Sequence, residues 1–243
     1  MLTAYLDECD HDKKDFAVVA GFVGNSEQWE ICDGEWRIGL GKRQHLHMNK
    51  LRLRNAKRYS SLLNRLGPIP HSSGLTAVFS AVKVADYEDL LDGTRMQKVM
   101  KGYLICILGI VNVLMQELRP DETFRLVLEN QLEYANGVIQ THLGSLDTTP
   151  DGRKRWASVE FVHKDDTVLT EPADFLAYAL MQQVRDPHSA RAKLCSPILQ
   201  NTRPAWGRDH RDERNKESLR TFVAQMAQKH PDLMCPKDLG VLG

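Results

Sequence analysis

Two β-rich runs, residues 2–7 (Leu-Thr-Ala-Tyr-Leu-Asp) and 16–23 (Phe-Ala-Val-Val-Ala-Gly-Phe-Val), open the chain with only the polar stretch 8–15 between them. Runs so closely spaced read as an antiparallel hairpin whose loop is longer than a tight turn. Every later strand must then join a sheet that already holds an antiparallel pair. Residues 73–84, rich in β-branched and small apolar side chains, read as a third strand. Beyond them the period changes. A long apolar-periodic stretch over 96–118, stopped by Pro120, predicts the longest helix; 123–128 is a short buried strand; 133–143 reads as a helix and 156–162 as a fifth strand. Thr170-Glu171-Pro172-Ala173-Asp174 then opens a helix to about residue 184, with proline in the first turn, where its missing N–H costs nothing.

Between the second and third strands, Asn25-Ser26 supplies an N-cap, and Trp29, Cys32, Trp36 and Leu40 recur at helical spacing. After Gln44-His45-Leu46-His47-Met48 comes a basic helix over about 55–66, ended by Gly67-Pro68. Residues 24–70 are thus expected to form a helical, basic insertion. Three meandering strands followed by alternating helices and strands predict an α/β fold: a five-stranded mixed sheet with helices on its faces, because the later strands need helical crossovers to run parallel. This element order is shared with ribonuclease-H-like folds. The expected organisation is one domain over residues 1–200 and a C-terminal helical extension over 201–243, with its helix at about 211–229.

The chain has 243 residues, and its 32 basic and 32 acidic side chains cancel, but they are unevenly placed. Residues 1–35 carry nine acids and two bases; residues 36–70 carry nine bases and no acid. The first stretch suits a cation and the second a polyanion, since clustered Lys and Arg bind phosphate backbones by releasing counterions. On charge alone, the plainer alternative is a solvated helix face paired with the preceding acids. No apolar run reaches the length of a membrane span, and no signal peptide is expected from an N-terminus that meets Asp7-Glu8 so early. Five cysteines without a C-x-x-C pair argue against a disulfide framework or zinc cage and for a reducing, cytoplasmic setting. Phosphate-binding glycine loops and the G-x-S-x-G elbow are absent, which disfavours kinase-like, nicotinamide-binding and lipase-like activities.

Three acids end elements that this order brings together: Asp7 on the first strand, Glu129 on the fourth, and Asp174 in the first turn of the helix after the fifth. Carboxylates so gathered repel one another unless a divalent cation lies among them, and hard oxygen donors select Mg²⁺ or Mn²⁺ over zinc. Two such ions would serve phosphodiester cleavage. Asp7, Glu129 and Asp174 are therefore the expected catalytic and metal-binding acids. Glu8 and Glu171 are weaker metal candidates: Glu8 because adjacent strand residues point to opposite faces, Glu171 because it shares a helix face with Asp174. Each acid also has an ordinary alternative as a strand-end or helix-dipole residue. His45 and His47, on one face if extended, would need a third ligand to hold a transition metal, and none is near in sequence.

At these positions the chain resembles a bacterial and phage family known as domain of unknown function 3800, regarded as a member of the ribonuclease-H-like superfamily. Tyr5-Leu6-Asp7-Glu8-Cys9, Val18-Val19-Ala20-Gly21-Phe22-Val23 with Trp29 and Glu35-Trp36, His47-Met48, and Pro172-Ala173-Asp174-Phe175-Leu176-Ala177 carry the resemblance across about residues 1–200. It implies that Asp7, Glu8 and Asp174 match the family's metal-binding acids and that Glu129 fits the acid or amide position after the fourth strand. Cys9 stands where the family usually has serine, and Glu171 where it usually has glutamine.

The expected function is a Mg²⁺- or Mn²⁺-dependent nuclease acting on DNA or RNA. His47, Lys50, Arg52, Arg54, Lys57, Arg58 and Lys164 are the expected contacts to nucleic acid. Two alternatives are a catalytically silent module of the same fold that binds nucleic acid, a nucleotide or a partner protein, and a phosphohydrolase for a small nucleotide. The apolar central and C-terminal helices are expected to be able to support a homodimer.

Overall fold

The opening hairpin forms as its spacing predicts. In the computed structural model, which describes residues 1–9, 16–51, 56–85, 102–119, 121–129, 156–163, 167–202 and 205–209, β1 (Leu2–Glu8) and β2 (Phe16–Gly24) pair antiparallel, with Asp7 opposite Ala20. β3 (Thr76–Lys83) lies antiparallel beside β2. On the other side of β1, β4 (Phe124–Glu129) runs parallel to it, and β5 (Trp156–Val162) runs parallel to β4. The five expected strands therefore form a mixed sheet.

A sixth strand, β6 (Ala205–Asp209), pairs parallel with β3 and completes the order β5-β4-β1-β2-β3-β6. The expected count of five is corrected accordingly, and the sheet continues past residue 200, where the extension was expected to begin. Ala-Trp-Gly-Arg-Asp has no period-two alternation, so nothing local announces it; the unpaired edge of β3 supplies its ladder partners.

The helices are α1 (Ser26–Leu40), α2 (Ala56–Leu66), the short α3 (Ile69–Ser72), α4 (Gly102–Glu117), α5 (Glu171–Arg185) and α6 (Ala190–Gln200), with 3-10 turns at Met48–Lys50 and Val168–Thr170. The segment between β2 and β3 is helical, as the insertion requires. α6 was not expected, because its interior Pro197 breaks the usual helical signature. The expected helices at 133–143 and 211–229, and residues 96–101 of the long helix, lie outside the described residues.

Strand alternation divides the core in two. Ala4, Leu6, Val19, Val78, Val82, Leu126 and Leu128 face α4, whose Ile105, Ile107, Ile110, Val111 and Leu114 cover them. Val18, Ala20, Phe22, Ala77 and Ala81 face the other way, under Trp29, Cys32 and Trp36 of α1, Leu63 and Leu66 of α2, and Phe175, Leu176 and Ala179 of α5. Of the described apolar side chains of α4, Ile105, Cys106, Ile107, Leu108, Ile110, Val111, Val113 and Leu114 are buried in this core. Cys9, Cys32, Cys106 and Cys195 are buried thiols, and burial pushes the Cys32 and Cys195 thiols up to about 12. No helix among the described residues is long and apolar enough to cross a membrane.

α1 is tied to the sheet at its start. The Asn25 side chain accepts the Gln28 N–H (2.9 Å), Gln28 Oε1 accepts the Asn25 N–H (2.8 Å), and Gln28 Nε2 donates to the Gly74 carbonyl at the entry to β3 (2.7 Å). This is a complete capping box with a third, tertiary bond. Gln28→Ala is expected to cost about 1–2 kcal/mol, at or slightly above the usual loss of a cap. Thermal unfolding checks this, and a change within error would show that the box contributes nothing.

Candidate active site

β1 carries its polar residues to one end. Asp7 stands opposite Ala20, on the face covered by α1 and α5, and is 2% exposed. Its Oδ1 accepts the Glu8 N–H at 2.8 Å. Glu8, opposite Val19, points by alternation towards the α4 face. The β1–β4 register ends at Leu6 beside Leu128, so the next step along both strands sets Asp7 beside Glu129, a half-buried residue paired on its other side with Val162. The parallel pairing thus brings the two expected acids to neighbouring strand ends.

Tyr103, in the first turn of α4, reports the same convergence. Burial pushes its phenol well above the ordinary tyrosine value, and the fields of Glu8, Asp7 and Glu129 push it further in that direction. It is therefore a neutral hydroxyl at the edge of an acidic end of the sheet. Sequence reasoning missed it, because a tyrosine within an apolar-periodic helix looks like core.

Asp174 sits in the first turn of α5 and is 5% exposed, with Oδ2 accepting the Met48 N–H at 3.0 Å. One turn on, Tyr178 has its phenol raised by burial, lowered in part by Arg191, and raised again by the fields of Cys195, Cys9 and Asp174. Cys9 follows Glu8 directly, and its N–H donates to the Val18 carbonyl at 2.9 Å. A tyrosine that feels both Cys9 and Asp174 places the start of α5 over the end of β1.

Glu171 has a different set of partners. It is 2% exposed; Oε2 accepts the Trp36 indole N–H at 2.8 Å, Oε1 lies 3.0 Å from His45 Nδ1, and the Leu46 N–H also bonds to it. Burial raises its carboxyl above the ordinary value, and these three partners oppose the rise. Together, Glu171 and Asp174 fasten residues 45–48 across the first turn of α5, with Leu46 and Met48 buried between. Two carboxylates at a helix N-terminus also suit its dipole.

The raised Glu171 value fixes a pH dependence. Below the unfolded pKa the carboxyl is protonated in both states and costs nothing. Above the raised folded pKa it is charged in both, and the folded state bears the desolvation, so stability falls as pH rises between the two values. Glu171→Gln cannot ionise, and its gain in Tm over wild type is expected to be larger near pH 7 than near pH 4. Thermal unfolding at both values checks this; equal differences would show that Glu171 does not ionise at this cost.

Around this strap lie some of the expected substrate contacts. His47 is half-buried, its ring stacked 6.2 Å from that of His45, and Lys50 is exposed. Arg52, Arg54 and Lys164 lie outside the described residues, and of Lys57 and Arg58, in α2, only the backbone is described. The structure adds two cations near His45. An open cleft of about 470 Å³ between the end of α1 and the strap is lined by Arg37, Leu40, Gly41, Arg43, Gln44, His45 and Val168. Arg37 pairs with Asp33 at 2.9 Å, and the Arg43 guanidinium lies 5.4 Å from the Tyr59 ring centroid.

Among the described residues no three His, Cys, Asp or Glu side chains stand together as a ready metal cluster. The donor type nevertheless suits a hard cation: Asp7 and Glu129, at neighbouring strand ends, offer carboxylate oxygens. Compared with models of known families and with curated proteins, the chain matches none.

Proposed function

We propose that the chain is a Mg²⁺- or Mn²⁺-dependent phosphodiester hydrolase of ribonuclease-H-like architecture acting on nucleic acid. One observation carries this reading: an antiparallel β1–β2–β3 meander with β4 parallel to β1 sets Asp7 beside Glu129, under the start of a helix bearing Asp174. The strand order and the resemblance to domain of unknown function 3800 both support it. Asp7, Glu129 and Asp174 would hold the ion, with Glu8 the nearest further donor. When bound, the ion would supply a Lewis acid and lower the pKa of an attacking water.

The chain's own residues have distinct tasks in this proposal. Asp7, fixed through Oδ1 to the Glu8 N–H, presents a carboxylate whose orientation is set before substrate arrives. Tyr103, held neutral, can donate a hydrogen bond to an acid or to a phosphate oxygen. The basic residues of the 24–70 segment carry the nucleic-acid backbone, through charge rather than base readout.

Labelled single- and double-stranded DNA and RNA, incubated with the protein in Mg²⁺, Mn²⁺ or EDTA, test the proposal. Metal-dependent cleavage of one class is expected. A second reading, the silent binding module, is favoured by one observation: Asp174 Oδ2 and both oxygens of Glu171 bond to the protein itself. It predicts salt-sensitive binding without turnover.

A further inference from the structure

We propose that Glu171 is a positioning residue, not a metal ligand: it holds the 43–50 strap in the orientation that presents the strap's cations to the nucleic acid. The inference deepens the nuclease reading and rests on it for the identity of the bound polyanion. It concerns the carboxylate that the sequence grouped with the metal acids.

Three observations converge on it. Glu171 bonds to protein on both oxygens: the Trp36 indole at 2.8 Å, and His45 Nδ1 at 3.0 Å, with the Leu46 N–H as a third partner. These partners come from two elements, α1 and the strap, so a single buried carboxylate couples both to the first turn of α5. Second, the strap's apolar side chains Leu46 and Met48 are buried at 2% and 0%, while Arg43, His45 and His47 are half-buried and Lys42 and Lys50 exposed. The strap is thus anchored by its alternate residues and shows its cations outward. Third, the Met48 N–H bonds to Asp174 Oδ2 at 3.0 Å, so the first turn of α5 grips the strap at two points, His45 and Met48. Turning Glu171 towards an ion would withdraw the acceptor from half-buried His45 or from the Trp36 indole, and the latter is a fully buried donor that would lose its bond.

The chemistry separates the two roles. Glutamine at 171 keeps an amide oxygen for the Trp36 N–H and an amide N–H that neutral His45 Nδ1 can accept, so it can hold the strap. It lacks the charge that a hard cation selects. Alanine removes both functions.

The experiment compares wild type, Glu171→Gln, Glu171→Ala and His45→Ala by three readouts. These are Mn²⁺ binding by calorimetry, the rate of trypsin cleavage at Lys42, Arg43 and Lys50, and binding of a labelled oligonucleotide in EDTA. Expected are unchanged Mn²⁺ binding in every variant, wild-type strap protection and oligonucleotide affinity for Glu171→Gln, and for Glu171→Ala strap cleavage faster and oligonucleotide binding weaker by at least about tenfold, the factor that losing even one of its hydrogen bonds implies. Equal loss of Mn²⁺ binding in Glu171→Gln and Glu171→Ala would overturn the proposal and make Glu171 a ligand. Strap cleavage unaltered in Glu171→Ala would also overturn it. Should Glu171→Ala fail to fold, His45→Ala breaks one limb of the same anchor and must show the faster cleavage. If wild type binds no oligonucleotide, the nucleic-acid reading fails, and with it the strap's proposed role towards a polyanion, whereas the trypsin result still decides whether Glu171 holds the strap.

Discussion

Asp7→Asn is expected to lower metal-dependent cleavage by at least about 100-fold, the scale on which losing one group that meets charge in the transition state is felt. The same change is expected to raise stability. Asp7 is almost fully buried at a strand end, so the folded state bears a desolvation cost that asparagine removes. Asparagine also keeps an Oδ1 that can accept the Glu8 N–H. A gain of about 1 kcal/mol corresponds to a rise of roughly 2–4 °C in a chain of this size. Loss of activity with gain of stability is the signature of a residue held in place for function. Retained cleavage would remove Asp7 from the site. Lost cleavage with a lower Tm would make it a structural acid.

Gly21→Ala is expected to be the most disruptive single substitution in the sheet. Gly21 pairs with Leu6 across the β1–β2 ladder, and a Cβ built on it falls on the Tyr5 carbonyl oxygen and lies 2.9 Å from Leu6 Cα. Both are backbone atoms, so no rotamer change relieves the clash; β1 itself must move. Overpacking of this kind costs about 3 kcal/mol, which lowers Tm by roughly 6–12 °C. Because Asp7 lies one residue beyond Leu6, cleavage is expected to fall as well, even at temperatures where the variant remains folded. Circular dichroism melts together with the cleavage assay check both parts. A Tm within 2 °C of wild type, where a shift of roughly 6–12 °C is expected, would show that the two strands are further apart than the ladder indicates.

The two substitutions act on different links of one chain of causes. Asp7 is chemistry delivered to a strand end; Gly21 is the contact that lets β2 approach closely enough for that strand end to be where it is. The segment Val19-Ala20-Gly21-Phe22 looks on paper like any buried strand. The ladder makes its glycine specific, because only one position faces the carbonyl before Leu6.

Much of the fold was legible in local pattern. The bounds of β1, β2, β5, α1 and α2 follow from β-rich runs, helical spacing and the Asn25 cap, and all of these are written in residues a few positions apart. The acids that end β1 and β4 were legible for the same reason. β6 and α6 were not: one is a five-residue edge strand without alternation, the other a helix with an interior proline, and both exist because neighbouring elements cover them. Tyr103 looked like core until α4 was laid over the acidic strand ends.

Glu171 marks the boundary most clearly. From the sequence alone it is an acid one turn before Asp174 on the same helix face, either a further ligand or an ordinary first-turn acid. The tertiary structure gives it Trp36, 135 positions away, and His45, 126 positions away, while Asp174 receives the Met48 N–H across the same span. Most elements, and the places of acids and bases along them, are written in near neighbours, since helical and strand periods and caps are local; β6 and α6 are the exceptions. Which oxygen meets which donor is set by the packed chain, because a buried carboxylate takes its role from whatever distant groups lie within hydrogen-bond reach.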